Sequence, residues 1–209
     1  MTVPQILPGF DVSRETYERL DRYVALLKKW SPKINLVSKT TLDGVWKRHI
    51  ADSAQILPLL PDGTRRIVDL GSGAGFPGLV LAILAREHDA PFEVTLVESD
   101  GRKATFLREV IRETGAAAQV RVERAEALTL AADVVTARAF MPLATMLPVA
   151  QPLIGKEGVA LLHKGARYES ELTKAVENWH METEIHKSRI DPASVILRLS
   201  GLERRQDGA

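Results

Sequence analysis

Along the first sixty residues the apolar positions recur at helical spacing. Tyr17, Leu20, Val24 and Leu27 fall three or four apart between Ser13 and Trp30, the stripe of an amphipathic helix with Ser13 as N-cap and Pro32 at its exit. Trp46, Ile50, Ala54 and Leu57 repeat the spacing and predict a second helix over residues 42–57. After Pro61, Asp62 and Gly63 the rhythm changes. Short β-branched runs at 67–70, 94–98, 119–123, 133–136 and 159–162 read as strands, and helical patterns at 79–85, 103–113, 143–153 and 169–179 alternate with them. Such alternation predicts a parallel sheet covered by helices on both faces. Two final strands, 182–186 and 195–199, have no helix between them and are expected to pair antiparallel. The chain divides into a helical extension over residues 1–62 and an α/β unit over 63–209, with seven strands of which one is antiparallel.

Composition narrows the chemistry. A chain of 209 residues suits one domain with an appendage. It contains no cysteine, which removes disulfides, thiolate zinc sites, iron–sulfur clusters and cysteine nucleophiles. No apolar run approaches the ~20 residues of a membrane helix, and the opening residues show neither a basic leader nor a long apolar segment. A cytoplasmic protein that needs no metal is therefore expected.

The net charge of +1 conceals a division: residues 1–66 hold 11 Lys/Arg against 7 Asp/Glu, and the remainder holds 17 against 20. The excess is densest at Lys28, Lys29, Lys33, Lys39, Lys47 and Arg48, among Trp30, Trp46 and His49. These cations form either a phosphate-contacting surface or an ordinary solvated face.

The most informative stretch is DLGSGAGFPG, residues 69–78, a strand end, a glycine turn and a helix start. Glycines there let main-chain atoms approach a nucleotide-like ligand closely. Gly73 to Gly78 spells G-x-G-x-x-G, the dinucleotide fingerprint, but that frame begins two residues late and places Pro77, which has no N–H, near the helix start. From Asp69 the pattern is instead D-x-G-x-G-x-G, which resembles the loop of class I S-adenosylmethionine-dependent methyltransferases. Their cofactor is cationic, so an acid at the strand end is favourable where it would repel a pyrophosphate. Glu98, ending the next strand, is placed to accept from two ribose hydroxyls, a role open to either cofactor.

The methyl acceptor is less legible. Methylating a pyrimidine C5 usually requires a cysteine adduct, and exocyclic-amine enzymes carry an acid or amide with Pro-Pro and an aromatic where this chain reads Thr136-Ala137-Arg138-Ala139-Phe140. Guanine N7 has a free lone pair and needs no base. Arg138, at the carboxyl edge of the fourth strand, is placed to contact guanine O6, a phosphate or the cofactor carboxylate, with a structural ion pair as the alternative. Phe140 either stacks on a flipped guanine or packs in the core.

Lys29-Trp30, Asn35-Leu36, Arg48-His49 with Asp52-Ser53, residues 69–78, Arg138-Ala139-Phe140 and Lys164-Gly165 together resemble the bacterial ribosomal RNA small subunit methyltransferase G family, also called glucose-inhibited division protein B. The resemblance covers about residues 17–165. It implies a class I, Rossmann-like methyltransferase fold, S-adenosylmethionine as cofactor and N7 methylation of one guanine in the 530 loop of 16S rRNA, within the small ribosomal subunit or its precursor. It also implies cofactor contacts at Gly71, Phe76, Ala125, Glu126 and Arg138, which join Asp69, Gly73, Gly75 and Glu98, the cofactor candidates read from the loop and the next strand. Lys164 is added to the candidate RNA-contacting cations, and a monomer is expected. At Ala193-Ser194-Val195-Ile196 the chain departs from the Arg-His-Leu-Val that many members show. A methyltransferase acting on another RNA site, a small molecule or a protein is the alternative, and an RNA-binding module with a vestigial cofactor fold is the non-enzymatic one.

Overall fold

The computed structural model describes residues 11–87 and 91–205. Residues 1–10, the opening segment of the expected extension, and 206–209 lie outside them.

The first helix, α1 (Arg14–Ile34), begins where expected, with the Ser13 hydroxyl accepting from Thr16 N–H at 3.1 Å. Pro32 does not end it. The proline sits in the last turn, where its missing N–H removes a single bond, and Asn35 in the left-handed conformation (φ 52°) closes the helix three residues later.

The single helix expected over 42–57 is broken instead. A short α2 (Lys39–Leu42) precedes a wide-turn π-helical segment, Trp46–Ala51, which runs into α3 (Asp52–Ala54) and a 3₁₀ turn at Leu57–Leu59. Of the expected apolar stripe, Ile50, Ala54 and Leu57 are buried and Trp46 is partly buried against the core, while Val45 and Ile56, outside the stripe, are buried as well. The apolar spacing could not reveal the widened turn, whose consequence is to turn His49 and Asp52 toward the sheet edge.

Seven strands follow: β1 (Arg66–Leu70), β2 (Glu93–Val97), β3 (Ala118–Arg121), β4 (Ala132–Arg138), β5 (Ile154–Lys164), β6 (Trp179–Lys187) and β7 (Val195–Arg204). Their order is β3-β2-β1-β4-β5-β7-β6, with β7 antiparallel to both neighbours and every other pairing parallel. The interposed helices are α4 (Gly78–Leu84), α5 (Gly101–Thr114), α6 (Leu143–Ala150) and α7 (Tyr168–Val176). Trp179, expected at a helix end, instead opens β6.

Successive strand residues point to opposite faces, and the sheet separates two apolar clusters accordingly. Ile67, Val94, Val134 and Leu161 pack with α1, α4 and α5, whereas Val68, Val97, Val135 and Leu162 pack with α6 and Trp179. Leu20, Tyr23, Val24 and Leu27 of α1 belong to the first cluster. The extension therefore shares the core of the α/β unit.

Candidate active site

The glycine loop turns sharply between β1 and α4. Gly71 (φ 65°), Gly73 (φ 55°) and Gly75 (φ 95°) all adopt left-handed backbone, accessible at low cost only without a Cβ. At Gly71 a Cβ would also lie 2.1 Å from the Phe140 ring, so the loop and the β4 exit touch through that glycine. Gly78 is required for a different reason: a Cβ there would stand 2.4 Å from Leu96 and 2.6 Å from the Asp69 carboxylate.

The hydrogen bonds of this loop decide between the two cofactor classes. Ser72 N–H donates to Val97 O (3.0 Å), Gly73 N–H to Glu98 Oε2 (2.8 Å), Gly75 N–H to Ser72 O (2.6 Å) and Leu79 N–H to Gly75 O (2.8 Å). Pro77, at the start of α4, has no N–H to offer. A pyrophosphate would need those donors free and would face two buried acids, Asp69 and Glu98. A cationic, phosphate-free ligand meets neither obstacle.

Asp69 lies beneath the loop instead of on the cleft wall where it was expected. It is fully buried, and its carboxylate oxygens have no hydrogen-bond partner within donor–acceptor geometry, the Ser72 hydroxyl donating to its main-chain carbonyl at 2.9 Å. Burial pushes its pKa up to about 7, against the milder opposing influence of Ser72, the adjacent Gly78 N–H and the Arg138 charge. Asp69 thus acts on the site through its field and through the loop it supports. Tyr23 of α1 supports the same loop, its hydroxyl donating to Ala74 O at 2.5 Å.

A cleft of about 470 Å³ opens over the loop at the carboxyl ends of β1, β2 and β4. Of the expected cofactor residues, Gly71, Gly73, Phe76, Glu98, Ala125, Glu126 and Arg138 line it, while Asp69 and Gly75 stand behind the wall. Glu98, expected to serve ribose hydroxyls, already accepts from Gly73 N–H and from Asp100 N–H, both at 2.8 Å. A carboxylate has two further lone-pair positions, so it can pin the loop and still receive a ligand.

A second concavity, about 800 Å³, adjoins the first. Arg138, Ala139, Phe140 and Met141 line both. Arg138 is held in place on several sides. Its Nη1 donates to Asp52 Oδ2 (3.1 Å) and Arg48 O (3.3 Å), its Nη2 donates to His49 Nδ1, and its guanidinium lies 5.4 Å from the Phe76 ring centroid. Phe76 in turn stacks on His49, with centroids 4.7 Å apart. The ion pair weighed as the alternative for Arg138 is therefore present, yet its acid comes from the extension and the arginine still lines both cavities.

The structure separates the expected RNA contacts. Lys28, Lys29, Lys33, Lys39, Lys47 and Arg48 are exposed, and none forms a salt bridge among the described residues. Lys47 and Arg48 reach the larger cavity. Lys164 differs and corrects the expectation. Its side chain is only 8 % exposed, paired with Glu171 at 2.8 Å and donating to Met141 O at 2.9 Å, while Glu171 also accepts from Leu143 N–H at 2.8 Å. Lys164 fastens the segment between β4 and α6 and is not free for phosphate.

Sequence patterns did not single out Tyr23, Asp52, His163 or Glu171 as site residues. Their roles arise from residues far apart in the chain, such as Tyr23 with Ala74 and His163 with Asp52. A sequence signal did exist for Asp52, three positions after His49 within the Arg48-His49, Asp52-Ser53 pattern. No group of three or more potential metal ligands occurs among the described residues.

Comparison with known proteins agrees with this fold. Solved structures with the same fold include a TehB-like SAM-dependent methyltransferase from Corynebacterium glutamicum (TM-score 0.58, 13 % identity, covering 87 % of this chain and 98 % of that one). Another is magnesium protoporphyrin IX methyltransferase from Synechocystis (TM-score 0.58, 14 % identity, 94 % and 99 %). Much greater similarity is found to the ribosomal RNA small subunit methyltransferase G of Rhodospirillum centenum, 56 % identical over 94 % of this chain and 89 % of that relative. The protein of that name from Rhodospirillum rubrum is 52 % identical over 98 % and 100 %. The family model described as rRNA small subunit methyltransferase G matches residues 16–192. By this match, and by its identity to those relatives over nearly the whole chain, the protein belongs to the ribosomal RNA small subunit methyltransferase G family.

Proposed function

We propose that the protein transfers the methyl group of S-adenosylmethionine to N7 of one guanine in the 530 loop of 16S rRNA. The smaller cleft holds the cofactor and the larger cavity seats the base. The observation that carries this reading is the meeting of the two concavities at Arg138, beside a glycine loop whose Ser72, Gly73 and Gly75 N–H groups already have partners.

The lining fits such a cofactor. Glu98 and Glu126 offer carboxylates to hydroxyl and amine donors, Ala125 is buried at the cleft edge, and Phe76 and Val97 provide apolar surface. When bound, S-adenosylmethionine supplies a methyl group on a positively charged sulfur. The chain's own contribution is placement: binding cofactor and base in adjoining cavities turns a bimolecular displacement into an oriented one. The N7 lone pair forms the new bond without losing a proton, so no general base is required. Arg138, kept permanently cationic, orients the acceptor through O6 or a neighbouring phosphate. Lys47 and Arg48 at the cavity, with Lys28, Lys29, Lys33 and Lys39 farther along the extension, engage the phosphate backbone. The substrate form is the small subunit or its precursor, approached by a monomer in the cytoplasm.

The test is incubation with labelled S-adenosylmethionine and small subunits from a strain lacking the modification, followed by mapping of the label. One 7-methylguanosine in 16S rRNA is expected. Label on an exocyclic amine, on a ribose or on no RNA overturns the assignment.

A further inference from the structure

Both purines carry a free N7, so a site that methylates only guanine must read a neighbouring edge. Guanine presents O6, an acceptor, next to N7, and then N1–H, a donor. Adenine presents the reverse at those two positions, an amino donor followed by an acceptor nitrogen. Two side chains that the proposed function leaves unused carry the matching pattern.

His49 and His163 both line the larger cavity, and both are buried. Each has one ring nitrogen engaged and one without a hydrogen-bond partner: His49 Nε2 and His163 Nδ1. The engaged nitrogens fix the tautomers. Arg138 can only donate, so His49 Nδ1 accepts and, in the neutral ring, Nε2 carries the hydrogen. The Asp52 main-chain carbonyl can only accept, so His163 Nε2 donates to it at 3.0 Å and Nδ1 keeps its lone pair. Both rings stay neutral at pH 7. Burial, followed by the Arg138 and Arg48 charges, lowers the His49 pKa to about 4. Burial also lowers that of His163, against the opposing pull of Asp52.

One ring therefore offers a donor and the other an acceptor. A buried polar atom left without a partner is costly and rare in native proteins, and two on residues that line one cavity, just beneath its surface, point to a ligand with complementary polarity. Both stand beside residues of the cofactor cleft. His49 stacks on Phe76 and His163 lies on β5 in register with Arg138, and both of those partners line the cofactor cleft.

We propose that these two imidazoles select guanine, His49 Nε2–H donating to O6 and His163 Nδ1 accepting from N1–H. This rests on the larger cavity being the seat of the target base. Neither nitrogen is solvent-exposed, so seating the base displaces part of the cavity wall.

The test uses full-length enzyme and small subunits reconstituted with guanosine, inosine or 1-methylguanosine at the target position. Inosine keeps N7, O6 and N1–H and lacks only the 2-amino group. Wild-type enzyme is expected to methylate inosine within about threefold of guanosine and 1-methylguanosine at least about tenfold more slowly in kcat/KM, the effect of leaving one buried acceptor unpaired. In His163→Ala the rate on guanosine should fall about tenfold and the penalty for N1 methylation should shrink. His163→Asn, whose side-chain oxygen takes the place of Nδ1, should recover part of the guanosine rate. Calorimetric S-adenosylmethionine binding reports whether each variant folds, and the three substrates with wild-type enzyme remain decisive if one does not. Inosine as poor as 1-methylguanosine, or an N1-methyl penalty unchanged in His163→Ala, overturns the proposal. Label away from N7 in wild-type reactions overturns the proposed function instead.

Discussion

Asp52 Oδ2 and Arg138 Nη1 lie 3.1 Å apart, joining the helical extension to the carboxyl end of β4, with side-chain exposures of 14 % and 19 %. Gln55 Nε2 donates to the other Asp52 oxygen at 2.9 Å, and the Ser188 hydroxyl approaches the same oxygen at 3.4 Å. Removing the carboxylate leaves a largely buried guanidinium unpaired. Asp52→Ala should lower stability by about 2 kcal/mol, less than a fully buried pair because some solvent screening remains, and should depress kcat more than S-adenosylmethionine affinity. Chemical denaturation together with steady-state methyl transfer measures both. An unchanged kcat would show that Arg138 holds its position without Asp52.

Arg138→Ala should keep the fold, since the strand it ends is paired on both sides through β1 and β5, and should lose methyl transfer by about a hundredfold or more. Arg138→Lys should recover little, because an ammonium cannot reproduce the fork reaching Asp52, Arg48 O and His49. Wild-type rates in Arg138→Ala would reduce this residue to its ion pair.

The cations divide by salt dependence. Lys47→Ala and Arg48→Ala should each flatten the slope of log affinity for rRNA against log salt by about one, the mark of a lost phosphate contact. Lys164→Ala should leave that slope unaltered while lowering thermal stability and transfer rate, because its ammonium holds Glu171 and Met141 O. Filter binding at several salt concentrations separates the two groups, and a flatter slope in Lys164→Ala would return that lysine to the RNA surface.

Asp69 sets a pH dependence of known sign. Its pKa is raised from 3.8 to about 7 in the folded state, so the unfolded chain binds fewer protons between those values. Stability is fully retained below pH 3.8 and falls as pH rises through 7, by at most about 1.4 kcal/mol per pH unit. Depressed acids such as Asp133 and Glu171 act in the opposite direction, and so does His49. The contribution of Asp69 is therefore the difference between wild type and Asp69→Asn across pH 4 to 7. Parallel stability curves for the two proteins would show that this acid ionises freely.

Tyr23→Phe should cost about 1 kcal/mol by removing the donor to Ala74 O and should weaken S-adenosylmethionine binding through a looser glycine loop. Calorimetric titration and thermal unfolding check the two effects. Unaltered cofactor affinity would confine Tyr23 to core packing.

The sequence by itself determined the strand and helix order, the antiparallel ending and the cofactor loop. Each is written in short-range periodicity or in glycine and proline placement: Ile67 and Val68 alternate faces, and Gly71, Gly73 and Gly75 take left-handed angles that a side chain would oppose. It also brought Arg138 to the correct sheet edge. Only the tertiary structure decided what surrounds that arginine. The widened turn at Trp46–Ala51 breaks a regular helical spacing and brings His49 and Asp52 to Arg138. Lys164 reads as one more surface cation until Glu171 and Met141 are seen beside it. Periodicity reports which face of an element is buried, whereas the polarity of a cavity depends on side chains that meet from distant positions. Asp52, Arg138 and His163 are separated by as many as 111 residues, and they become neighbours only when the extension folds against the sheet.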